Sequence, residues 1–213
     1  MDAEGSTVGG SPMNEREIGE RIALIELMMH EGRKSTGYWG WCFLLWGIAY
    51  LVAIGWSNFL PAGKVLAWPV TMIVAVLLTA GIARRRSCNR PPTHKTRSIR
   101  AIWTAAGSGI FVFAFPLVYS GHLDPHSFMA GIETLLGVAH IACGTMVRWT
   151  PQIVVGALWW AAAIASCFVR TGNEVAIIFL GATLVCNIGF GIYLMIRESR
   201  DKARARGAEV QHA

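Results

Sequence analysis

The chain has 213 residues, 54% of them apolar and 15% charged, with a mean hydropathy of +0.44 and a formal net charge of +6. Soluble domains average about 25% charged residues and about 45–50% apolar ones, so this composition excludes an ordinary water-soluble globule. The basic excess is confined to short stretches between long apolar blocks, which argues for a membrane and against nucleic acid as the partner.

Residues 1–13 are rich in Gly and Ser and read as a disordered amino terminus. Residues 14–37 read as an amphipathic cytosolic helix. Asn14 is placed to cap it, with Glu17 three residues on. Ile18, Ile22, Ile25 and Met29 step by four, three and four, which lines up one apolar stripe for a partner contact. From Glu15 to Lys34 there are five acidic and four basic residues. A helix lying on a membrane surface carries a Lys/Arg-dominated polar face. The balanced charge favours a protein instead: the chain's own spans, a second copy in a homo-oligomer, or a cytosolic partner. No apolar run ahead of a cleavage site precedes the first block, so that block is expected to remain as a span.

Residues 38–196 hold six blocks of the length that crosses about 30 Å of hydrocarbon. They fall at about 38–56, 66–83, 99–119, 128–147, 153–169 and 175–196, followed by a basic cytosolic tail at 197–213. The predicted fold is all-α, a six-transmembrane-helix bundle built from three helical hairpins. Orientation follows from Lys and Arg. Four lie in the amino-terminal segment, seven around the loop after span two, one (Arg148) after span four and five in the tail. These are seventeen of the nineteen basic residues, and the other three connections hold only Lys64 and Arg170. Both ends are therefore expected in the cytosol. Trp39, Trp41, Trp56, Trp68, Trp103 and Trp149 sit near predicted span ends, where indoles meet headgroups. Trp46, Trp159 and Trp160 lie deeper and are expected between helices.

Ionisable groups inside a span are costly, so each is a functional candidate. On span four Glu133, Gly137, His140, Gly144 and Arg148 step by four, three, four and four, which places them on one face. A carboxylate, an imidazole and a guanidinium in one stripe suit a polar ligand or a proton. Asn187, mid-span in span six, is a candidate fourth member. The plainer reading is that Glu133, His140 and Asn187 bond across helix interfaces while Arg148 snorkels to headgroups. In the outer loop His122, Asp124 and His126 are weak metal candidates. Asp124-Pro125 reads equally as turn chemistry. The basic loop 84–100 suits topology first and lipid headgroups second.

Cys42, Cys88, Cys143, Cys167 and Cys186 form no CxxC pair, so neither a disulfide framework nor a zinc ribbon is indicated. No phosphate-binding glycine loop, HExxH or GxSxG is present. No cofactor is expected, and the chain reads as non-enzymatic, in a sensory, regulatory or partner-binding role. The alternative is a small transporter or permease-like protein using the span-four stripe.

Five short stretches carry a resemblance: Ile25–Met29 (IELMM), Leu45-Trp46-Gly47, Trp68-Pro69, Ile102-Trp103 and Trp149-Thr150-Pro151. Together, over roughly residues 18–196, the chain resembles a family of bacterial six-transmembrane-helix proteins of uncharacterised activity. The resemblance implies an amphipathic amino-terminal helix followed by six spans and carries over no site residues.

Overall fold

The blocks are helical because each is a run of apolar residues with no water to satisfy its backbone, so every N–H must find its own i−4 carbonyl. In the computed structural model, which describes residues 19, 39–60, 66–87, 94–120 and 124–211, the helices are α1 (Gly40–Phe59), α2 (Ala67–Ser87), α3 (His94–Ser120), α4 (Pro125–Val147), α5 (Thr150–Phe168) and α6 (Gly172–Thr183). A π-helical turn (Leu184–Gly189) continues α6 directly into α7 (Phe190–Gln211), so the three form one rod. The predicted amino-terminal helix with Ile18, Ile22, Ile25 and Met29 lies outside the described residues, apart from helical Gly19.

The protein is a polytopic membrane protein. Helices α1, α2, α4, α5 and the α6–α7 rod are long and apolar enough to cross a bilayer. Helix α3, where the third span is predicted, is 27 residues long and contains Pro116. The helices overrun the predicted spans at several ends. The stretch 197–211, predicted as a tail, continues α7, while α2 and α3 extend into the basic loop.

Packing is inverted relative to a soluble fold. The buried polar set is Glu133, His140, Gln152, Ser166, Thr183 and Asn187, whereas Leu77, Ile164 and Ile177 are each more than 60% exposed. Many large apolar side chains face outward because hydrocarbon solvates them as well as a core does, while the inside holds the polar set and small residues together with a cluster of large rings that includes Phe43, Tyr50, Trp159, Phe179 and Phe190. The α6–α7 rod touches α1, α4 and α5, whereas α2 lies chiefly on α1 and α3 chiefly on α4.

The tightest pair is α4 with α5. Two residues join them. The Arg148 N–H donates to the Thr145 carbonyl at 3.1 Å and the Trp149 N–H to the Gly144 carbonyl at 2.8 Å, a Schellman closure. Arg148 carries the required left-handed backbone, φ 54° and ψ 49°. Pro151 then stands in the first turn of α5, where its missing N–H costs nothing. Along this hairpin a Cβ on Gly137 would overlap the Trp160 indole. One on Gly156 would meet Ile141 Cγ1 at 2.5 Å and the Gly137 carbonyl oxygen at 2.8 Å. Gly40 and Gly191 bring α1 and α7 together in the same way, each Cβ position lying within about 3 Å of the other's carbonyl oxygen.

The rod begins at a capping box. Thr171 Oγ1 accepts from the Glu174 N–H at 3.3 Å, and Glu174 Oε2 accepts from the Thr171 N–H at 3.0 Å and the Arg170 N–H at 2.8 Å. The Thr-x-x-Glu spacing is visible in the sequence and moves the start of the last span from Val175 to Gly172.

Candidate functional site

The face of α4 that carries the predicted stripe is the face turned into the bundle. Glu133 and His140 are both wholly buried. They stand seven residues apart, about 10 Å along the axis at 1.5 Å per residue, and form two separate foci.

At the first, Ser166 Oγ of α5 donates to Glu133 Oε2 at 2.9 Å. Glu133 Oε1 has no hydrogen-bond partner among the described residues. A carboxyl group with one oxygen anchored and one open can accept a proton or a donor group at the open oxygen. Ser166 was not among the residues expected from the sequence. A serine near the end of an apolar helix carries no signal until the α4–α5 pairing sets it opposite Glu133.

At the second focus, His140 is enclosed by three rings from three helices. Phe43 of α1 stacks on the imidazole at 5.1 Å with 24° between planes. Trp103 of α3 meets it edge-on at 5.0 Å and 89°, and Phe190 of α7 at 6.0 Å and 70°. Neither Nδ1 nor Nε2 has a hydrogen-bond partner among the described residues. The aromatic walls supply packing but few polar groups. A buried imidazole with an unsatisfied donor and acceptor costs about 1–3 kcal/mol for each open group. The protein keeps that cost rather than replacing the ring with leucine.

Asn187, 4% exposed, lies within the π turn and its Nδ2 is open among the described residues. Its Cβ lies 3.1 Å from where a Cβ on Gly47 of α1 would stand, so the glycine is what admits it. A π turn widens the helix and shifts the facing of residues after it, and such turns concentrate at functional sites. Five further buried atoms are open among the described residues: Thr79 Oγ1, His126 Nε2, Gln152 Oε1, Trp159 Nε1 and Thr183 Oγ1.

Arg148 does not join the stripe. Its left-handed backbone carries the side chain off the helical row, and it is exposed at the end of the hairpin. Trp160 also differs from expectation. It is 41% exposed and lies over the α4–α5 contact, its Nε1 donating to the Thr134 carbonyl at 3.2 Å, while Trp159 is wholly buried. At the other end of α4, Asp124 caps the helix. Its Oδ2 accepts from the Ser127 hydroxyl at 2.7 Å and the Ser127 N–H at 2.9 Å, and its Oδ1 faces His126 Nδ1 at 3.4 Å. The Ser127 hydroxyl, followed by its N–H, holds the Asp124 carboxyl well below the usual range, at about 2. His122 lies outside the described residues. Among the described residues no group of three His, Cys, Asp or Glu side chains is placed to hold a metal.

Comparison with known proteins adds no name to this geometry: no family model matches the chain, and neither does any curated protein or solved structure.

Proposed function

We propose that the chain is a non-enzymatic, small permease-like protein with six spans, α3 being the sixth. Its buried Glu133 and His140 bind a small polar solute or pass a proton within the bilayer. The observation that carries this reading is the pair of open groups: Glu133 Oε1 and both nitrogens of His140 are buried with no partner among the described residues. A purely structural role would have each of them bonded across an interface. Glu133 meets that requirement halfway through Ser166, and His140 does not meet it at all. Unpaired ionisable groups at membrane depth are retained where transport or binding uses them. The foci lie too far apart for a direct hydrogen bond, so each acts alone or through water held by polar groups between them. Arg148 is left out of the site, and Asn187 contributes from the π turn. The sensory or partner-binding reading rests on residues 14–34, outside the described set, and takes second place.

The test is proton entry into proteoliposomes driven by a potassium diffusion potential and read with an internal pH dye. Wild type is expected to acidify the lumen. Glu133→Gln and His140→Ala are each expected to slow entry about a hundredfold or more, the low end of the ~10²–10⁴-fold that a positioned proton-transfer group supplies. Deletion of residues 14–34 is expected to leave the rate unchanged. Equal rates in wild type and both point variants would reject the site.

The same reading places both chain ends in the cytosol of a bacterial cell, supported by the seventeen-to-two distribution of Lys and Arg. In a background without other cysteines, a membrane-impermeant maleimide added to intact cells is expected to label Asn173→Cys and to spare Cys88. Asn173 is exposed in the first turn of α6. Labelling of Cys88 alone would invert the topology.

A further inference from the structure

A second polar feature lies at the opposite level of the bundle, independent of Glu133 and His140. Where α7 leaves the helix bundle, a cavity of about 310 Å³ opens on one of its faces, lined by Tyr193, Ile196, Arg197, Arg200, Asp201 and Arg204. The geometry points to a binding site for the phosphate of an acidic phospholipid headgroup, held by Arg200 and Arg204 beside an Arg197 that the protein has already positioned.

Depth is the first argument. The Arg197 guanidinium lies over the Trp149 ring at 5.4 Å, and Trp149 packs on Phe190 at 5.5 Å and Tyr193 at 6.5 Å. Trp149 is one of the two residues that link α4 to α5, so Arg197 stands level with the end of that hairpin. Arg200 and Arg204 follow one and two turns further out, about 5 and 10 Å at 1.5 Å per residue. The headgroup layer is about 5–8 Å thick on each side of the hydrocarbon. The cavity therefore spans the headgroup layer, with Tyr193 and Ile196 on its hydrocarbon side and the guanidinium groups on its water side.

Charge is the second. Three arginines and one aspartate, Asp201, line the cavity, so it is cationic. The neighbouring charges on the same helix neutralise each other, Lys202 Nζ bonding Glu198 Oε1 at 2.6 Å. Planar guanidinium groups one turn apart match the oxygens of a phosphodiester through paired N–H donors, which a lysine cannot do. Stacking on Trp149 removes rotamer freedom from Arg197 before any ligand arrives, which lowers the ordering cost of binding. A lipid rather than free phosphate is the occupant the surroundings fit. The half of the cavity nearest the bundle is aromatic and aliphatic, and the exposed flank of α7 above it, through Ile192, Met195 and Ile196, is apolar and faces the acyl chains.

The experiment uses the purified full chain in a neutral detergent. Native mass spectrometry counts retained lipid as short-chain phosphatidylglycerol, phosphatidylcholine or inorganic phosphate is titrated. Wild type is expected to retain phosphatidylglycerol at about tenfold lower concentration than phosphatidylcholine, because both carry the phosphodiester but the choline cation cancels its charge in the second. Arg200→Gln/Arg204→Gln, which leaves the Arg197–Trp149 contact intact, is expected to lose that preference. Lys202→Gln, which removes one charge from the other stripe of the helix, is expected to keep it. Retention of the preference in the double variant, or its loss in Lys202→Gln, would overturn the site. Displacement of the lipid by inorganic phosphate at equal concentration would overturn the lipid as its occupant.

Discussion

Trp159→Ala is expected to lower the stability of the bundle by on the order of 3 kcal/mol, the low end of the ~3–5 kcal/mol typical of emptying a buried aromatic site. Trp159 is the largest wholly buried side chain among the described residues, and its ring lies 5.9 Å from Phe179 on the rod. Phe179 in turn meets Tyr50 of α1 at 5.5 Å and Trp68 of α2 at 6.2 Å. One ring on α5 thus supports a cluster that reaches three other helices. The low end is chosen because the reference state is lipid rather than water. The hydrophobic transfer term is then largely missing, and what remains is the lost dispersion and the cavity. For a chain of this length the melting midpoint should fall by about 6–12 °C, at ~2–4 °C per kcal/mol. Circular dichroism in detergent reads this directly. Trp159→Phe keeps a six-membered ring and gives up the rest of the indole, including an N–H that is open among the described residues, so it should cost less. A Trp159→Ala midpoint within two degrees or so of wild type would mean that the cluster does not tie the helices together.

Gly156→Ala is expected to cost about 1–3 kcal/mol through overpacking. The added Cβ would stand 2.5 Å from Ile141 Cγ1 and 2.8 Å from the Gly137 carbonyl oxygen. The isoleucine can turn away, but the carbonyl cannot, because it belongs to the backbone of α4. The hairpin must therefore open, and opening it shifts Ser166 relative to Glu133, which depends on the same α4–α5 contact at 2.9 Å. Two readouts should move together: the melting midpoint, and the proton-entry rate in proteoliposomes. Gly55→Ala is the matched control, since a Cβ there meets nothing within 4 Å. An unchanged Gly156→Ala alongside an unchanged Gly55→Ala would show that α4 and α5 are not held at backbone contact.

These two expectations rest on contacts that hydropathy does not encode. The apolar blocks placed the helices well, because a segment in hydrocarbon must satisfy its own backbone and the only cheap way is an α-helix. Composition alone determines that much. The Glu133–His140 spacing was legible for a related reason: a stripe at steps of four and three lies on one face of any helix, whatever surrounds it. Asp124-Pro125 was legible as local chemistry, since caps act within four residues, whereas the Thr171-x-x-Glu174 cap was missed and the last span was placed three residues late.

Other features waited for the tertiary structure. Arg148 continues the stripe by arithmetic, yet the two-residue turn to α5 requires a left-handed residue there and swings its side chain away. Trp159 and Trp160 are adjacent and equally apolar, and only the rotation of α5 against α4 decides that one is buried and the other 41% exposed. Neither the pairing of Ser166 with Glu133 nor the three-ring enclosure of His140 follows from spacing, because each depends on helices far apart in sequence.

The sequence by itself determined that this chain builds membrane-length helices, roughly where they begin and end, and that one of them carries a carboxylate and an imidazole on a shared face. Tertiary structure alone decided that this face turns inward and that the carboxylate is half satisfied. It also decided that the imidazole is walled by rings, with both nitrogens open among the described residues. The reason is physical. Helix formation in lipid is a local response to the solvent, whereas the facing of nearly uniform apolar helices is set by where small residues let their backbones meet.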